Sequence, residues 1–188
     1  PGAANLPVGL VSWHGAQQYC ASLGKRLPSE AEWELAARGA AERLFPWGAA
    51  LPTCGGVVFA RGEDLPAERR CRDYQNRPSP VGKATQDRTP DGVMDLGGNV
   101  AEWVMDRFVI PYPTCSEPCK DPVVDAADSA GSAPAGKGKK KEAAVLRVIR
   151  GGSYSLAADA CRGAGRIRLQ QELVQLDVGF RCVKMGTK

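Results

Sequence analysis

Apolar residues recur every three or four positions at the start of the chain, where Trp13, Ala16, Cys20 and Leu23 fall on one face of a helix. Ser12 stands where a capping hydroxyl accepts from a free amide of the first turn, and Gly24 supplies the stop. The pattern predicts a first helix between them. A second is written in Leu27-Pro-Ser-Glu-Ala-Glu-Trp-Glu-Leu-Ala-Ala-Arg-Gly39. Ser29 and Glu32 have the spacing of a capping box, three glutamates crowd the positive end of the dipole, and Gly39 marks the end. Trp33, Ala36 and Ala37 form its core-facing stripe.

The helical period then disappears. Phe45-Pro-Trp-Gly48 opens a long region punctuated every few residues by Gly, Pro and Asp, which predicts loop. Residues 125–144, rich in Ala, Gly, Ser and Lys, carry too little apolar surface to offset the entropy of ordering them, and are expected to form a flexible loop. β-Branched and aromatic residues return in 145–150 and 178–183, predicting two short strands. One α+β domain over residues 1–188 follows, mostly irregular, with two N-terminal helices, short antiparallel strands and long loops. The 22 glycines and 14 prolines argue against a helix bundle, since both residue types disrupt helix interiors.

Charge adds little. The formal +4 is concentrated at Lys137, Lys139, Lys140 and Lys141, with no aromatic residues between them to stack bases, so a solvated loop is expected and nucleic acid is not. No apolar run approaches the roughly 20 residues that span a bilayer. Seven cysteines are many for a reducing compartment, and they point to disulfides and an extracytoplasmic location: periplasmic, cell-surface or secreted. Cys115 and Cys119 have zinc-ligand spacing, but no second close pair completes a set, and the single histidine, His14, is remote in sequence.

Four blocks in order carry a resemblance. They are Val11-Ser-Trp13 with Tyr19-Cys20 and the Gly24–Gly39 segment; Phe45-Pro-Trp-Gly48; Asp91-Gly-Val-Met-Asp-Leu-Gly-Gly-Asn-Val-Ala-Glu-Trp-Val104; and Arg150-Gly-Gly-Ser-Tyr154 with Gly179-Phe-Arg-Cys182. The chain resembles the C-terminal two-thirds of a formylglycine-generating enzyme, or sulfatase-modifying factor, domain. The resemblance implies a variant of the C-type-lectin-like fold. It implies a disulfide between Cys20 and Cys182, and a calcium site from the Asp95 group, the Gly98 and Val100 carbonyls and the Glu102 carboxylate. The ligands of the family's second calcium site are missing after Phe45-Pro-Trp-Gly48, where a Cys54–Cys71 disulfide is expected to staple the loop instead. Cys115 and Cys119 either bridge each other, or one of them takes Cys161.

Catalytic members bind copper(I) through two cysteines after the Arg-Gly-Gly-Ser block and oxidise the cysteine of a Cys-x-Pro-x-Arg motif to formylglycine. Here the stretch reads Ser153-Tyr-Ser-Leu-Ala-Ala-Asp-Ala-Cys161, and an ungapped match puts Leu156 where the first cysteine would stand. A gapped match instead places Cys161 on a structural cysteine whose partner is replaced by Ala37. Either way the copper pair is incomplete, so a calcium- and disulfide-stabilised binding module is expected. A copper-dependent oxidase using Cys161 is the alternative. Arg162, Arg166 and Arg168 are candidate contacts for carboxylates or phosphates on a protein or peptide partner, or else they pair with Glu172 and Asp177. The family also carries a segment before the Val-Ser-Trp block. Either a partner chain supplies it, which predicts an exposed apolar surface that the partner covers, or the fold is trimmed.

Overall fold

The computed structural model describes residues 5–60, 77–110, 122–124 and 144–184. Cys71, Cys115, Cys119, the lysine cluster and all but the last residue of the expected 125–144 loop lie outside them. Helix α1 (Trp13–Ser22) is capped by Ser12, whose hydroxyl accepts from the Gly15 amide at 3.2 Å. It buries Trp13, Ala16 and Cys20. Leu23 serves as its C-cap and is 52% exposed, so the apolar stripe stops one position short of the expected register. After strand β1 (Lys25–Arg26), helix α2 (Glu30–Arg38) begins at the reciprocal capping box of Ser29 and Glu32 and ends at Gly39, whose φ of 59° suits glycine. Trp33 and Ala37 are buried beneath it and Ala36 is half-buried.

Among the described residues, six short strands accompany the two α-helices. The four-stranded sheet contains β2 (Ala101–Arg107), β3 (Leu146–Arg150), β4 (Arg166–Gln170) and β5 (Val178–Phe180), in the order β4-β3-β2-β5. β3 runs antiparallel to both neighbours, whereas β5 lies parallel to β2, a departure from the antiparallel expectation. The strand expected over 178–183 divides in two: Arg181 and Cys182 leave the sheet, and β6 (Val183–Lys184) pairs with β1 instead.

Each face of the sheet has its own core. Trp13, Ala16, Cys20 and Leu27 pack with Ala101, Trp103, Ile149 and Val178 on one side. Trp33, Ala37 and Leu96 pack with Val104 and Val148 on the other. β2 is therefore covered on both faces, which places Glu102 and Asp106 inside the protein. Glu30 and Arg150, both fully buried, form an ion pair between α2 and β3, and Arg166 closes on Glu30 at 2.6 Å. A disulfide joins Cys20 of α1 to Cys182. Cys54 is also disulfide-bonded, to a partner outside the described residues.

Candidate functional site

The loop from Asp95 to the start of β2 is held by close packing. A Cβ on Gly97 would lie 2.5 Å from the Trp47 ring, and one on Gly98 would lie 2.4 Å from the Val58 carbonyl oxygen, so only glycine fits at either position. Asp95 and Asn99 both adopt positive φ, at 57° and 66°. β2 then delivers Glu102 to the inner end of the loop. Its carboxylate accepts from Arg181 Nε at 2.6 Å and Nη2 at 2.5 Å, and from Trp33 Nε1 at 2.8 Å. Arg181 Nη2 also donates to the carbonyls of Met94 and Asp95, tying the segment just after β5 to the loop.

Asp95, Gly98, Val100 and Glu102 line one cavity of about 390 Å³, together with Arg181. Asp95 Oδ2 accepts from the Gly82 amide at 2.6 Å, while Oδ1 is buried without a hydrogen-bond partner. Burial raises the Asp95 carboxyl above its ordinary range, against the opposing pull of the Gly82 amide and Arg181. Asp87 sits behind the loop and takes the Gly97 amide on both oxygens; burial pushes it up to about 7. Desolvation works against the charge on Arg181, but Glu102, Asp95 and Asp87 outweigh it and hold the guanidinium above its usual value. Sequence reading had not singled out Asp87 or Arg181, because neither has a partner close by in the chain.

The Ser153–Cys161 stretch forms a second polar feature. Ser153, fully buried, donates to Asp177 Oδ2 at 2.8 Å, and the Ser155 hydroxyl donates to the same oxygen. Leu156 is half-buried, and its carbonyl accepts from the Ala60 amide. A 3-10 turn over Ala158–Cys161 then buries Cys161 among Phe45, Val57 and Phe59. Cys161 is a free thiol, pushed up to about 12 by burial and, secondarily, by the charges of Asp87 and Asp159.

The three arginines are not brought together as one set. Arg166 is committed to Glu30 through Nε and Nη2 and lies over the Phe108 ring. Arg168 is exposed beside the same ring, 5.6 Å from its centroid. Arg162 is exposed and reaches Asp159 at 3.8 Å. Among the described residues, Asp177 accepts from the two serines.

The sulfatase-modifying factor enzyme 1-like domain matches residues 1–185. The chain belongs to that family. Among its members, the formylglycine-generating enzyme of Streptomyces coelicolor is 35% identical over 96% of this chain and 53% of its own length. The inactive C-alpha-formylglycine-generating enzyme 2 of Bos taurus is 39% identical, over 94% of this chain and 50% of that protein. The serine/threonine-protein kinase pkn1 of Chlamydia caviae is 32% identical over 98% of this chain but 25% of itself. The chain thus spans about half, or less, of the length of these curated relatives. The fold is shared with PvdO from Pseudomonas aeruginosa, at a TM-score of 0.70 and 23% identity, over 95% of this chain and 61% of that one.

Proposed function

We propose that this chain is a non-catalytic binding module of the family, built on a C-type-lectin-like scaffold and fastened by disulfides and calcium. The observation that carries this reading is the state of Cys161. Copper(I) chemistry needs two soft thiolates in close geometry. Cys161 is a buried free thiol, and Leu156, at the matching first position, offers no donor atom. The described residues therefore offer one free thiol where the copper pair needs two. The likeness to an inactive relative as well as to active ones is compatible with either role.

Calcium fits in part. It takes six to eight oxygens, and the orphaned Asp95 Oδ1 with the Gly98 and Val100 carbonyls would supply some of that shell, while the Glu102 carboxylate would have to share oxygens now paired with Arg181 and Trp33. When bound, the ion would add positive charge beside Asp87, Asp95 and Glu102, where Arg181 already pairs with Glu102. Its role here is to cross-link the loop and stiffen the surface around it. The Cys20–Cys182 bridge supports an oxidising, extracytoplasmic setting. No helix among the described residues is long and apolar enough to cross a membrane.

The deciding assay incubates the protein with copper(I), oxygen and a Cys-x-Pro-x-Arg peptide, beside the Streptomyces coelicolor enzyme, and reads peptide mass. We expect conversion by that enzyme and none by this chain. Formylglycine in the test reaction would sink the binding-only reading and return Cys161 to a catalytic role.

A further inference from the structure

Among the described residues β4 is an edge of the four-stranded sheet, paired with β3 alone. The Gln171 amide donates to the Val145 carbonyl at 3.1 Å, just beyond the first strand pair, Leu146 with Gln170. The Phe108 amide shows the same phase from β2, donating to the Leu146 carbonyl at 2.9 Å. Antiparallel bonding alternates, so Ile167 and Leu169 turn their main-chain groups toward β3, and Arg168 and Gln170 turn theirs outward. Leu173 donates to the Gln170 carbonyl at 3.0 Å. The Arg168 amide and carbonyl and the Gln170 amide have no partner among the described residues.

Arg166 and Arg168 stand on the α2 side of the sheet, opposite Arg150, which lies over the Trp33 ring, and Val148, which packs in the Trp33 core. Arg166 is committed to Glu30, whereas Arg168 has no carboxylate partner among the described residues. The Arg168 guanidinium rests 5.6 Å from the centroid of the Phe108 ring, so part of the entropy of ordering that long side chain is lost before anything binds. The other face of the strand carries Ile167 and Leu169, both partly buried against the Trp13 core. We infer that β4 takes an extended acidic segment of a second protein as an added antiparallel strand, with carboxylates at alternate positions meeting Arg168. Main-chain bonds to Arg168 and Gln170 would hold the segment, and the free guanidinium would select its charge, the division usual in strand addition. A nucleic acid or a free phosphate has no amide ladder to offer this edge. A second copy of this chain, paired antiparallel about Arg168, would set that arginine against itself, and like charges directly opposite are destabilising. The charge that closes β4 to its own kind, as edge charges commonly do, leaves it open to a strand of opposite sign.

The inference rests on reading the chain as an interaction module, but its test contains neither copper nor a substrate cysteine, so its outcome is independent of the oxidation assay. The probe is the peptide Asp-Val-Asp-Val-Asp-Val, blocked at both ends and added to the protein at millimolar concentration, with amide hydrogen exchange read residue by residue by NMR. We expect exchange at the Arg168 and Gln170 amides to slow several-fold, while Ile167 and Leu169, already in the ladder, stay as they were. Arg168→Gln, at an exposed position, should weaken binding about fivefold, and Arg168→Lys less. N-methylation of the aspartates should abolish binding, because residues directly opposite Arg168 and Gln170 aim their amides at β4, whereas N-methylation of the valines should leave it intact. The inference is overturned by no slowing at Arg168 and Gln170, by equal slowing with Lys-Val-Lys-Val-Lys-Val, by equal behaviour of the two methylated peptides, or by unchanged affinity in Arg168→Gln. Protection of the same amides without peptide, rising with protein concentration, would give the edge to a second copy and overturn it as well.

Discussion

Arg150 has no exposed surface, and its charge is met by Glu30, equally buried, and by Glu34. Glu30→Ala, which removes the buried carboxylate shared by Arg150 and Arg166 and leaves Arg150 only Glu34 as a charged partner among the described residues, is expected to cost about 3–5 kcal/mol in urea unfolding. Neither pairing was legible in the sequence. Glu30 reads there as a helix-start acid, and Arg166, 136 residues away, reads as a surface contact. Asp106 is a subtler case: burial raises its carboxyl above the ordinary value, although it accepts the Glu30 and Val124 amides. A carboxyl with a raised folded pKa binds its proton more tightly in the folded state, so its contribution falls as pH rises from the unfolded value through the folded one. Asp106→Asn cannot ionise, and its deficit against the parent should therefore be larger near pH 4 than at pH 7. Equal deficits at both values would contradict that assignment. Cys161, buried and held protonated, should resist iodoacetamide at pH 8 in the native protein and react once it is unfolded.

The helices could be read because their signals are local. The Ser29–Glu32 capping box lies within four residues, and the structure contains both of its hydrogen bonds. Ser29→Ala should cost about 1 kcal/mol, measured by thermal or urea unfolding. β2 was missed for the opposite reason. A strand covered on both faces loses its alternation, and Glu102 and Asp106 within it suggest solvent until Arg181 and the α2 amide are known to meet them. β4 is hidden for another reason: Arg166-Ile-Arg-Leu-Gln170 alternates, but its arginines read equally as ligand contacts. The 178–183 strand was half right, because tertiary pairing with β1 takes its end out of the main sheet.

For the molecule as a whole, the family and the α+β class were legible from blocks of sequence, while the link between the candidate ligand loop and the buried arginines needed coordinates. If calcium binds as proposed, titrating metal-free protein to millimolar calcium should raise Tm, and Asp95→Ala should abolish the rise. An unchanged Tm in the parent would count against the site. The Cys20–Cys182 bridge has a mechanical corollary. It closes a covalent ring across a sequence separation of 162, so tension applied at the chain ends bypasses the four-stranded sheet and the Trp33 core, and reaches only Trp13 and Ala16 of the other core. In a single-molecule pulling experiment, the oxidised protein should yield only the roughly 25 residues outside the ring, about 90 Å of contour at ~3.5 Å per residue. Reduction should release several times that length. The domain would then act as an inextensible link in whatever longer assembly carries it, and it would become extensible only when its redox environment changes.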